Sequence, residues 1–132
     1  MIKGVGHVGL VVNDIDRTVA ALCSALSMPR PEVKDVPERK MKVAMLNLGG
    51  VGLEILEDYS EDGSFTQFVK ERGNAIHHFC LLSDDLDADI EALEKRGVKM
   101  VDQEPKLGVR GKKIAFVAPG LLDGISIELS EL

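Results

Sequence analysis

The sequence is poor in aromatic side chains, with no Trp, one Tyr and four Phe, 4% of the chain. A pocket built on stacked rings is thereby disfavoured, and a ligand would be held by polar contacts or by a metal. Cysteine is scarce too. Cys23 and Cys80 stand 57 positions apart, which suits neither a CxxC redox pair nor a zinc knuckle, whose ligands come in closely spaced pairs. Both read as reduced, buried thiols. No apolar run approaches the roughly 18 residues a transmembrane helix needs, and no charged n-region with an apolar h-region precedes His7. The chain therefore reads as cytoplasmic, with no membrane partner. A basic surplus is missing as well: 22 Asp and Glu against 16 Lys and Arg leave a formal charge of −6. Proteins that neutralise nucleic-acid phosphates normally present a basic face, so a nucleic-acid partner is disfavoured.

What is present suffices for one domain of 132 residues, because 45% hydrophobic and 29% charged residues can bury a core. Inside that domain lies a repeat. The segment from His7 to Asp16 aligns with that from His78 to Asp87, and the match continues until Leu22 meets Leu93. The same offset lays Lys42–Leu46 over Lys113–Val117, and three further residues bring Leu53-Glu54-Ile55 over Ile127-Glu128-Leu129. Each half thus runs from a His strand through a helix to an apolar strand and a Glu strand. Module one spans about 1–58, a connector helix about 62–73, and module two about 74–132.

Periodicity gives the same reading independently. Residues 7–12 and 78–83 are apolar runs of strand length, each followed by an Asp fit to cap a helix. Ile15, Val19, Leu22 and Leu26 then recur at helical spacing, as do Leu86, Ile90 and Leu93, with Gly97 as a left-handed stop. Residues 41–48 and 52–57 predict two strands joined at Gly49-Gly50, and residues 114–117 and 125–129 predict a second pair across Gly120 and Gly124. A helix crossing a largely antiparallel sheet, twice over, defines an α+β fold of two paired βαβββ modules forming one curved sheet, and each half is too small to bury its own face well.

Strand side chains alternate between faces, so His7 and Gly9 share a side, as do His78 and Cys80. Two His and two Glu at equivalent positions of a repeat, His7, Glu54, His78 and Glu128, form a candidate His2Glu2 site for a divalent metal. Fe, Co, Ni, Mn and Zn all accept such donors. An apolar strand such as Leu53-Glu54-Ile55-Leu56 has no structural reason to carry a carboxylate where its counterpart also has one. The repeat register selects His78 over its neighbour His77, which reads as a helper or a surface residue. A Cys80–His78 nucleophilic pair lacks a third orienting group, and Gly9 occupies the place equivalent to Cys80. Gly4-Val5-Gly6-His7-Val8-Gly9 matches GxGxxG but neither follows a strand nor opens a helix, so it is no dinucleotide fingerprint. The run from Lys106 to Lys113, with Lys106, Arg110 and Lys112, is a candidate anion clamp.

The pattern resembles the vicinal oxygen chelate superfamily, and within it the methylmalonyl-CoA epimerase family. The stretches that carry the resemblance are His7–Val12, Val36–Glu38, Leu53–Glu57, Ser60–Asp62, Ile76–Cys80, Glu104–Gly108, Gly111-Lys112 and Ile127–Leu129. The resemblance implies a vicinal oxygen chelate fold around a metal site, a homodimer, a divalent metal on His7, Glu54, His78 and Glu128, and an acyl-CoA substrate. It implies epimerisation at C2 of methylmalonyl-CoA. Removal of the C2 proton gives an enolate whose two oxygens a dication can chelate, and Glu54 and Glu128 would supply a base on each face. Lys106, Arg110 and Lys112 would contact the anionic substrate. Within the same superfamily, the alternatives are a glyoxalase I-like lyase or isomerase and a non-catalytic small-molecule binding module. The sequence departs from the family at Ala118-Pro119-Gly120, where His-Pro-Lys is common, at Ala21-Leu22 in place of an aromatic pair, at Lys40 in place of Gly, and at Val43 in place of a Glu proposed as a base.

Overall fold

The computed structural model describes all 132 residues. In chain order the elements are β1 (Ile2–Val11), α1 (Ile15–Ala25), β2 (Lys34–Val36), β3 (Met41–Leu48), β4 (Val51–Asp58), α2 (Ser64–Arg72), β5 (Ala75–Ser83), α3 (Leu86–Lys95), β6 (Lys106–Leu107), β7 (Lys113–Val117) and β8 (Ser126–Glu131). Each half therefore reads β-α-β-β-β, and α2 stands between them. No helix is long and apolar enough to cross a membrane.

The chain forms two compact units, one of Val8–Ile76 and one of Met1–His7 with His77–Leu132. In the first, the strand order is β2-β3-β4-β1. Strands β3 and β4 pair antiparallel over their whole length, from Met41 opposite Asp58 to Leu48 opposite Val51. Gly49 and Gly50 turn that hairpin with φ of +66° and +94°, a left-handed pair that side chains disfavour. Helix α1 starts at its Asp14 cap, whose carboxylate accepts the Arg17 N–H at 3.1 Å, and Glu57 accepts the Ile15 N–H at 2.9 Å. Its inner face places Ile15, Val19 and Cys23 against Ala44, Leu46 and Ile55. Leu26, expected on that face, is instead 59% exposed. The helix ends at Ala25, and Ser27 turns the chain away with φ +53°. Cys23 is the last buried residue of the inner face.

In the second unit the order is β1-β5-β8-β7-β6. Strand β5 pairs parallel with β8, so that Cys80 faces Glu128, and β8 pairs antiparallel with β7. Helix α3 is built like α1: Asp85 accepts the Ala88 N–H at 3.1 Å, and Leu86 and Ile90 pack on Ala115 and Leu129. Its end is marked by Gly97 at φ +80°, as expected.

Strands β2 and β6, of three and two residues, supply the extra strand of each module. Neither carries a buried residue, which is why no apolar alternation announced them. Strand β1 begins at Ile2, well before the apolar run at His7. Gly6 inside it is a close approach: a Cβ there would lie 2.9 Å from Leu82 Cδ2 and 3.6 Å from Cys80 Sγ.

Candidate metal centre

The second unit brings three of the candidate ligands together. His7 comes from β1, His78 from β5 and Glu128 from β8. The parallel β5–β8 register sets Ser126 beside His78 and Glu128 beside Cys80, so the carboxylate stands one strand over and two residues along from the imidazole. His7 Nε2 and His78 Nε2 are 3.1 Å apart, and Glu128 Oε2 lies 3.3 Å from the first and 3.2 Å from the second. All three residues are buried, with 1% exposure for each histidine and 5% for the glutamate. The rings of His7 and His78 meet edge to face, and Phe116 packs edge-on against His78 with centroids 5.5 Å apart.

Burial pushes the Glu128 carboxyl up, but the hydrogen bonds and charges of His7 and His78 outweigh it and hold the group at about 2. Glu128 is therefore an anion at any ordinary pH. Two ring nitrogens and a carboxylate oxygen suit a borderline divalent ion. Donors about 2.1 Å from a shared ion, at angles of about 90–109°, stand about 3.0–3.4 Å from one another. All three separations fall in that window, so the cluster fits a divalent cation without rearranging the strands. Cys80 is fully buried, and its sulfur forms a further candidate group with His7 and Glu128, with ligand atoms all within 4.8 Å.

Each imidazole has a second contact. His78 Nδ1 lies 3.0 Å from His77 Nδ1, so the helper suggested by adjacency in the sequence does touch the site. His7 Nδ1 accepts from Arg110 Nη2 at 2.8 Å. This pairing, across 103 positions, carries no periodic signal, and sequence reasoning missed it. The other bases of the candidate anion clamp go elsewhere. Lys106 pairs with Asp102 at 3.1 Å and covers the Phe116 ring, while Lys112 donates to the Leu132 carbonyl at 2.7 Å. The three thus reach three separate partners.

Glu54 belongs to the first unit. It lies on β4 opposite Met45 and is 4% exposed, an unusual place for a carboxylate amid Leu53, Ile55 and Leu56.

Similarity to known proteins agrees with this picture. The chain is 31% identical to the protein YqjC of Bacillus subtilis over 95% of its own length and 89% of that protein. It is 27% identical to the ethylmalonyl-CoA/methylmalonyl-CoA epimerase of Cereibacter sphaeroides, with both chains fully covered. Among solved structures, Streptomyces coelicolor methylmalonyl-CoA epimerase in complex with 2-nitronate-propionyl-CoA superposes with a TM-score of 0.89 at 26% identity, covering 99% of this chain and 95% of that one. The family model described as Glyoxalase/Bleomycin resistance protein/Dioxygenase superfamily matches residues 6–116. With this match, and with its two β-α-β-β-β modules, the chain belongs to that superfamily and has the vicinal oxygen chelate fold.

Proposed function

We propose that the chain is a metal-dependent epimerase that inverts the carbon between the thioester and the carboxylate of methylmalonyl-CoA or a near homologue. The observation that carries this reading is the buried cluster of His7, His78 and Glu128, whose separations of 3.1, 3.3 and 3.2 Å suit a divalent ion. It occurs in a chain similar along its full length to an epimerase of such esters. A divalent ion bound there would supply Lewis acidity and a template for the two oxygens flanking the acidic carbon.

The chain's own residues would do the rest. His7, His78 and Glu128 hold the ion, and by the repeat Glu54 is the fourth donor. A carboxyl held near 2 is a good ligand and a weak base, so proton transfer by Glu128 requires that His7 and His78 release it. The correspondence of Glu54 with Glu128 in the repeat supports their acting as a pair: one, as carboxylate, takes the C2 proton from one face of the substrate, and the other, already protonated, delivers its own proton to the opposite face of the planar intermediate. Strands β5 and β8 keep water away from the cluster, as the burial of His78, Cys80 and Glu128 indicates. Of the exposed bases in the basic segment, Arg110 is the one that reaches the histidine cluster, and is the base we assign to an anionic ester bound there.

The test is incorporation of deuterium from solvent at C2 of methylmalonyl-CoA by protein reloaded with Co2+. Exchange that depends on the metal is expected. Absence of exchange, together with turnover of a glutathione hemithioacetal, would replace the epimerase by a lyase or isomerase of the same superfamily.

A further inference from the structure

A histidine that ligates through Nε2 must leave that nitrogen free of its proton. The neutral ring then carries its proton on Nδ1, where it normally finds an acceptor. His78 meets this condition, because its Nδ1 faces His77 Nδ1 at 3.0 Å, and a ring nitrogen either donates or accepts. His7 does not. Its Nδ1 faces Arg110 Nη2 at 2.8 Å, and a guanidinium has five donors, no acceptor, and a proton it does not give up. With Arg110 in this position Nδ1 accepts, and the neutral His7 ring carries its proton on Nε2, the atom aimed at Glu128 and His78.

From this mismatch we infer that Arg110 is a gate on the metal centre: it is a positioning residue that holds His7 in the non-ligating tautomer and has to leave before His7 takes a divalent ion. The inference rests on the metal-dependent reading above. A second argument points the same way, since a fixed positive charge beside His7 opposes a dication on the same ring. Opening moves one proton from Nε2 to Nδ1 through solvent and leaves the imidazole neutral, so no net charge is gained or lost on the ring.

The local structure dictates how the gate moves. The turn that carries Arg110 is closed by the Gly108 N–H donating to the Lys112 carbonyl at 2.8 Å and the Gly111 N–H donating to the Gly108 carbonyl at 3.1 Å. Gly111 is left-handed at φ +79°, and a Cβ on Gly108 would come within 3.1 Å of Ile114 Cγ2. The backbone is thus pinned while the Arg110 side chain is exposed. Release is a rotation of that side chain into water, where its charge is solvated or meets an anion. Lys106 and Lys112 have partners away from His7, so among the three bases this coupling belongs to Arg110.

The test compares the full chain with Arg110→Met, which keeps the apolar stem and removes donors and charge. Two readouts are needed: 15N chemical shifts of His7 in metal-free protein, and Co2+ affinity by titration calorimetry. The wild type is expected to show an unprotonated Nδ1 and a protonated Nε2, and Arg110→Met a redistributed tautomer. Loss of one charge-assisted hydrogen bond to be broken should tighten Co2+ binding by about tenfold or more. A protonated Nδ1 in the wild type, or equal or weaker Co2+ binding by the variant, would overturn the gate. Equal, tight binding by both proteins sinks the gate and keeps the metal reading. No binding by either, with the His7 tautomer as expected, sinks the metal reading and the gate with it.

Discussion

His7 Nε2 and His78 Nε2 stand 3.1 Å apart although 71 positions separate the two residues in the chain. That number is also the offset of the repeat, so the two imidazoles meet as equivalent residues of the two halves. Each is 1% exposed, and each touches the same oxygen, Glu128 Oε2. Burying two rings and a carboxylate with so little water costs several kcal/mol unless they satisfy one another or an ion.

The first prediction concerns acid. Because the folded-state value for Glu128, about 2, is below its ordinary 4.5, the group stabilises the metal-free protein above about pH 4.5, and this contribution is lost as pH falls from there toward 2. The difference corresponds to roughly 3 kcal/mol at neutral pH. Unfolding by urea at pH 7 and at pH 3 should show it, and Glu128→Gln should flatten this part of the pH profile. An unchanged profile in the variant would mean that His7 and His78 do not hold the carboxylate as described.

The repeat allows a paired test of the helix caps. Asp14 and Asp85 each accept an N–H three residues on at 3.1 Å, and loss of such a cap costs about 1 kcal/mol. Asp14→Ala and Asp85→Ala should therefore destabilise to a similar extent, measured by denaturant midpoint. Ser83 Oγ accepts the Asp85 backbone N–H and donates to Asp89, bonds that Asp85→Ala leaves in place, so the loss at Asp85 should not exceed that at Asp14.

In the core of the first unit, Ile55 is fully buried against Ile15 and its neighbours. Ile55→Ala should cost about 2–5 kcal/mol by lost transfer energy plus the cavity left behind. A loss under 1 kcal/mol would mean that α1 collapses onto β4 far more readily than this packing suggests.

How much of this was legible in the residues follows from where the signals were local. The caps at Asp14 and Asp85, the hairpin at Gly49-Gly50 and the stripes Ile15–Val19–Leu22 and Leu86–Ile90–Leu93 are written in short-range spacing, and each was found where it was expected. The meeting of His7 with His78 was legible because a repeat converts distant positions into equivalent ones. Strands β2 and β6 were not legible, since they are two or three residues, none of them buried, paired at sheet edges. Leu26 misled because periodicity does not say where a helix stops. Arg110 on His7 had no signal at all: a loop base and a strand histidine share no period, and their pairing follows from the fold of the loop.

The last prediction separates the two acids. Glu128 touches both histidines, so Glu128→Gln replaces a charged ligand by a neutral one and should weaken Co2+ binding by tenfold or more while abolishing inversion at C2. Glu54→Gln removes the residue that the repeat makes its counterpart. If Glu54 is both a donor and one of the two bases, this variant also binds Co2+ more weakly, and at saturating metal it loses inversion. Exchange of the C2 proton from a single epimer would then persist, because one base is enough to remove and return a proton on one face, whereas inversion needs both. Parallel measurement of deuterium exchange and of epimer composition distinguishes the two. Full inversion by Glu54→Gln at saturating Co2+ would remove Glu54 from the proton-transfer pair and leave it, at most, a ligand.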